Sequence, residues 1–130
     1  MKIEHLAIWV DDLEKMKDFY RDYFNFNNSE LYHNPKRGFT SYFLSFKDET
    51  TRIELMHMEN IDNAVQKRGF SKGFAHFAIT VGTKNHVNQL TERLRKDGYT
   101  VESEPRTTGD GYYESAIADP EGNYVELLAG

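Results

Sequence analysis

A chain of 130 residues is the size of one compact domain, and 14% aromatic residues (9 Phe, 8 Tyr, one Trp) exclude a disordered one. A net charge of -5, from 21 acidic against 16 basic residues with no clustered Lys and Arg, excludes a phosphate-binding face and so nucleic acid as a partner. With no cysteine there are no disulfides, thiolate nucleophiles or Cys-based metal centres, so any metal must be held by His and carboxylates.

No apolar run approaches the ~20 residues that span a bilayer, and the opening segment turns charged at Asp11-Asp12 where a signal peptide stays apolar. No membrane association and a cytoplasmic location are expected. Residues 2–10 read as a strand, and 13–24 follow as a helix with Leu13, Met16, Phe19, Tyr20 and Tyr23 at helical spacing. Three strands come next, near 30–33, 39–46 and 51–58, with turn chemistry at Asn34-Pro35 and Lys47-Asp48-Glu49. The polar, glycine-bearing stretch 59–73 reads as a linker, with a helical turn over 62–67. The second half repeats the order: strand 74–81, helix 85–96 capped at Gly98, then strands near 99–102, 112–118 and 123–128. Asp119-Pro120-Glu121-Gly122 is a turn leading into the last strand.

His5-Leu6-Ala7-Ile8-Trp9-Val10 aligns with His76-Phe77-Ala78-Ile79-Thr80-Val81, and Ile53-Glu54-Leu55 with Val125-Glu126-Leu127. The chain is therefore a cryptic tandem repeat of βαβββ modules, one at about 1–58 and one at about 74–130, within a single α+β domain over 1–130. Strand alternation puts Leu6, Ile8 and Val10 on the helix-packing face and His5 on the other. The same count turns Glu54, His76 and Glu126 away from the helices. Two His and two Glu form a donor set suited to one divalent cation per site (Zn, Ni, Mn, Co or Fe(II)), with positions open for Lewis-acid chemistry. A lone strand histidine is ordinarily a hydrogen-bonded structural residue. A packing role has no reason to select the same ionisable pair twice, and burying two carboxylates without a cation is costly.

The first strand with His5, the helix with Asp18-Phe19-Tyr20, Glu54, Gly73-Phe74-Ala75-His76-Phe77-Ala78, and Asp119-Pro120-Glu121-Gly122-Asn123-Tyr124-Val125-Glu126 together resemble the glyoxalase I family of the vicinal-oxygen-chelate superfamily. The resemblance covers nearly the full chain. It implies paired βαβββ modules making a curved mixed sheet, with His5, Glu54, His76 and Glu126 as metal ligands, Glu126 as proton-transfer base and Glu54 as the second catalytic candidate. It also implies a homodimer, with the cleft formed within one chain or shared between two. The implied chemistry is a metal-dependent lyase or isomerase reaction, proton abstraction beside the carbonyl of a small oxygen-chelating substrate. Glyoxalase I has Arg and Asn where this chain has Trp9 and Met58, the two places that hold glutathione. An apolar rim there points to a flatter or more hydrophobic substrate than glutathione carries.

The alternatives within the superfamily are a drug-sequestering protein of the bleomycin-resistance type and an extradiol-type dioxygenase using two His and one Glu on iron(II). Tyr112 and Tyr113, after the glycine-bearing 107–111 stretch, and Arg106 are further candidates for substrate contact, against ordinary strand aromatics and a solvated cation. Met56 shares Glu54's strand parity, whereas His57, His33 and His86 are placed outside the site.

Overall fold

The computed structural model describes residues 1–63 and 66–130. It divides into two compact units, Met1–Asn63 and Ala64–Gly130. In the first, the order is β1 (His5–Trp9), α1 (Leu13–Phe24), β2 (Asn27–Asn28), β3 (Tyr32–Asn34), β4 (Phe39–Ser45) and β5 (Arg52–His57). The second has β6 (Phe77–Gly82), α2 (Lys84–Lys96), β7 (Val101–Thr107), β8 (Tyr113–Ala118) and β9 (Tyr124–Ala129). No helix of the described residues is long and apolar enough to cross a membrane.

The sheets carry the repeat into three dimensions. The first runs β1-β5-β4-β2 with β3 also on β4, and the second β6-β9-β8-β7. In each unit the strand before the helix pairs in parallel with the last strand of that unit, and the other ladders are antiparallel. A strand that leaves the sheet through a helix and comes back beside its own last strand is the βαβββ module, so the architecture is α+β with two such modules.

Helix α1 starts where the Asp12 carboxylate accepts the Lys15 N–H at 3.0 Å. It buries Leu13, Met16, Phe19, Tyr20 and Phe24 at helical spacing, facing Tyr42, Leu44, Ile53 and Leu55, all of which are buried too. In α2 the buried stripe is Val87, Thr91 and Leu94. Its end is a full Schellman motif: Gly98, at φ 92°, donates to Arg95 and Tyr99 donates to Leu94.

Three expectations are corrected. The strand expected near 30–33 is two short pieces: from Asn28↔Leu44 to Tyr32↔Ser41 one strand advances four residues and its partner three, which is a bulge. Ser29 sits at the irregularity and its hydroxyl accepts the Phe43 N–H. Strand β7 runs past the expected 99–102 to Thr107, through Pro105. A proline is tolerated there because β7 is the sheet edge and its pairing shifts register between Ser103 and Arg106. The strand expected from residue 74 begins at Phe77, leaving His76 just ahead of the ladder. The helical turn expected over 62–67 includes residues outside the described ones.

Candidate metal centre

Alternation on β1 is regular, with His5, Ala7 and Trp9 exposed and Leu6 and Ile8 partly covered. Parallel pairing sets Ala7 opposite Glu54 and Trp9 opposite Met56, while β4 sets Phe43 on the far side of Glu54. The His5 and Glu54 side chains meet on this helix-free face, Nε2 to Oε2 3.7 Å. In the second unit His76 Nε2 lies 3.2 Å from Glu126 Oε2. There Ala78 and Ala116 flank Glu126 on either side.

Two donors each about 2.1 Å from one cation sit about 3.0–3.4 Å apart in octahedral or tetrahedral geometry, so the 3.2 Å His76–Glu126 separation suits neighbouring positions on a divalent ion, while the 3.7 Å His5–Glu54 separation is somewhat wider than such an ion requires. Imidazole nitrogen with carboxylate oxygen is also the chemistry such an ion takes. Among the described residues no three or more His, Asp or Glu converge; the donors come in pairs, one pair per unit.

The surroundings of the two pairs differ. Beside His5, Glu4 accepts from Nδ1 at 2.5 Å and its other oxygen from Arg52. The hydrogen bond to His5, with Arg52 adding to it, holds the Glu4 carboxyl below the usual carboxylate range. The Arg52 guanidinium lies 4.0 Å over the Phe43 ring, which in turn meets His5 edge-on at 5.5 Å. In the second unit the Tyr124 ring sits 5.9 Å from His76. Burial raises the Glu126 carboxyl pKa, with Glu114 adding to the effect while His76 and Arg106 oppose it. Burial likewise raises the Tyr124 hydroxyl.

Trp9 packs edge-on to Phe39 at 6.2 Å, and Tyr32 meets the same ring at 6.0 Å. Met58 follows β5, half-buried. Arg106 lies on Glu126's face, its guanidinium donating to Ser103 and 3.9 Å from Glu114. Tyr112 is exposed at the β7–β8 hairpin. Tyr113 is turned to the helix side, its hydroxyl donating to Asn88 at 2.8 Å with Lys84 over its ring. Of the other histidines, His57 Nδ1 meets the Val10 carbonyl at 2.9 Å, His33 pairs with Thr40 in β3, and His86 packs so close to Gly82 that a Cβ there would lie 2.7 Å from its Nδ1.

The sequence alone does not single out Glu4, the hydrogen-bond partner of His5, or Arg52, which bonds Glu4. Arg52 shares Glu54's parity and was findable. Glu4 precedes the first ladder residue, so the alternation rule that located His5 assigns it to the wrong face.

A family model described as Glyoxalase/Bleomycin resistance protein/Dioxygenase superfamily matches residues 2–127. The chain is 30% identical over 131 residues to a probable lactoylglutathione lyase of Synechocystis, covering 98% of this chain and 95% of that protein. It is 29% identical over 127 residues to a lactoylglutathione lyase of Arabidopsis thaliana, where it covers 95% of itself but spans only 42% of the relative's length. Among solved structures, glyoxalase I from Zea mays superposes with a TM-score of 0.80 at 26% identity, covering 99% of this chain and 44% of that one. With a match over almost its whole length and the module topology found in both units, the chain belongs to the glyoxalase/bleomycin resistance protein/dioxygenase superfamily.

Proposed function

We propose that this protein is a divalent-metal-dependent lyase or isomerase of the glyoxalase type, acting as a single-domain homodimer on a small α-carbonyl substrate that chelates through two oxygens. The observation that carries the reading is the recurrence of one His–Glu pair, at 3.7 Å and 3.2 Å, on the helix-free face of both modules. His5, Glu54, His76 and Glu126 are the four ligands. When bound, a cation of the zinc, nickel, manganese, cobalt or iron(II) class supplies positive charge against the negative charge that develops on the substrate oxygens.

The proton chemistry belongs to the chain's own carboxylates. Glu126 is the base: its carboxylate, when not held by the cation, can accept a proton from a carbon beside a carbonyl, and the flanking alanines leave it room to turn. Glu54 is the second proton carrier, on the opposite face of the substrate. Trp9, packed edge-on to Phe39, whose ring Tyr32 also meets, and Met58 form an apolar rim that suits a flat or hydrophobic substrate. Arg106 and Tyr112 border the second half of the site.

The test is solvent deuterium incorporation α to the carbonyl, followed by NMR in metal-loaded protein offered the hemithioacetals of methylglyoxal and of an aromatic α-ketoaldehyde. Incorporation that favours the aromatic substrate and vanishes in Glu126→Gln is expected. Equal incorporation in Glu126→Gln removes Glu126 as base, and the absence of both incorporation and product with every α-carbonyl substrate overturns the enzyme reading.

A further inference from the structure

We propose that Glu4, pinned by Arg52, is a positioning residue that fixes His5 with its proton on Nδ1 and its Nε2 lone pair presented toward Glu54. The inference takes its purpose from the metal-centre reading, and its content from geometry alone. A carboxylate only accepts hydrogen bonds, so the ring nitrogen 2.5 Å from Glu4 Oε2 carries the proton. A neutral imidazole has one such proton, which leaves the lone pair on Nε2, the nitrogen 3.7 Å from Glu54.

An exposed carboxylate is by itself a loose partner. This one is held from behind: its other oxygen accepts from Arg52 Nε at 2.9 Å and Nη2 at 2.5 Å, a forked, charge-assisted arrangement that a lysine could not reproduce. The same guanidinium is stacked 4.0 Å over Phe43, and Phe43 closes the circuit by meeting the His5 ring edge-on. Each of the four side chains touches the next, so His5 cannot rotate or exchange tautomers without breaking a contact. The second module lacks the device. Ala75 precedes His76, and the position repeating Arg52 is Tyr124, whose ring packs against His76 instead. A carboxylate behind a ligating histidine fixes ring and tautomer and strengthens the nitrogen as a donor, so the first module presents the firmer imidazole.

The experiment reads imidazole 15N shifts in the metal-free protein at a pH where both rings are neutral, and then metal affinity by competition with a chromophoric chelator. Wild-type His5 is expected as the Nδ1–H form; Glu4→Ala shifts it toward Nε2–H, the form free imidazole side chains prefer in water, while His76 is unchanged as internal control. Metal affinity falls about 10- to 100-fold in Glu4→Ala, and Arg52→Met, which keeps the carboxylate but unpins it, falls between. An Nε2–H tautomer in the wild type, or a Glu4→Ala protein with wild-type tautomer and affinity, overturns the proposal. If the wild type binds none of nickel, zinc, manganese and iron(II), the metal-centre reading falls. The tautomer measurement still decides the clamp: a switch at His5 alone supports it and no switch overturns it.

Discussion

Glu126 and Glu54 occupy repeat-equivalent positions, but Glu54 lies between Ala7 and Phe43 whereas Glu126 lies between two alanines, and burial raises the Glu126 carboxyl pKa. That shift is also a statement about stability. The folded metal-free protein holds the Glu126 proton more tightly than the unfolded chain does, so stability falls as pH rises from the ordinary value of 4.5 through the raised folded value. Urea unfolding of metal-free protein across that window should show the decline, and Glu126→Gln should flatten it; an unchanged slope contradicts the burial argument. A second residue-scale prediction concerns the contact between α2 and β8. The Thr91 hydroxyl donates to the Val87 carbonyl at 2.6 Å, so at 2.7 Å it must accept from Ser115, and both side chains are fully buried. Thr91→Val strands the Ser115 hydroxyl and should cost about 1–3 kcal/mol, whereas adding Ser115→Ala should recover part of the loss. Ser41 is the contrast: its buried hydroxyl has no hydrogen-bond partner among the described residues. Ser41→Ala therefore breaks no hydrogen bond and should leave the unfolding midpoint unchanged or raised.

Elements place these residues, and the turn before β9 places Glu126. Buried Asp119 accepts from the Glu121 and Asn123 N–H groups at 3.0 and 2.9 Å and from the Asn123 side chain at 2.7 Å, while Gly122 takes φ 83°. Asp119→Ala removes the carboxylate that organises the turn and should cost about 2–3 kcal/mol. Because the same turn starts the β9 ladder, metal affinity should fall with stability, which Asn123→Ala, losing only its side-chain bonds, should reproduce weakly. This turn was readable from Asp-Pro-Glu-Gly because each residue has its own backbone reason to be there. The parity of His5, Glu54, His76 and Glu126 was equally legible, since alternation along a strand depends on sequence position alone. The bulge between β2 and β3 and the one in β7 were not. An inserted residue changes pairing with a distant strand without altering local composition, and Pro105 reads as a strand breaker unless the strand is known to be an edge. The Glu4–Arg52 clamp was hidden for a related reason, because its two members are 48 residues apart and join only when β1 and β5 pair.

At the scale of the whole molecule, the repeat makes a prediction that single residues do not. Two modules each offering one His and one Glu could be two weak independent sites or the two halves of one four-ligand centre. Two protein donors leave most of a divalent ion's positions to water, and zinc centres in proteins ordinarily take at least three protein ligands, so the halves should fail separately. Metal content by mass spectrometry after gel filtration is expected to drop to background in His5→Ala and equally in His76→Ala, with no further loss in the double variant. Independent sites would give a different pattern: each single variant would keep about half of the metal and the double none. The distinction lies in non-additivity, which is how residues acting as one unit differ from residues acting side by side. A half-loaded single variant would therefore overturn the proposed four-ligand centre while leaving the fold assignment untouched, since α1 and α2 pack on the sheet faces opposite these four side chains.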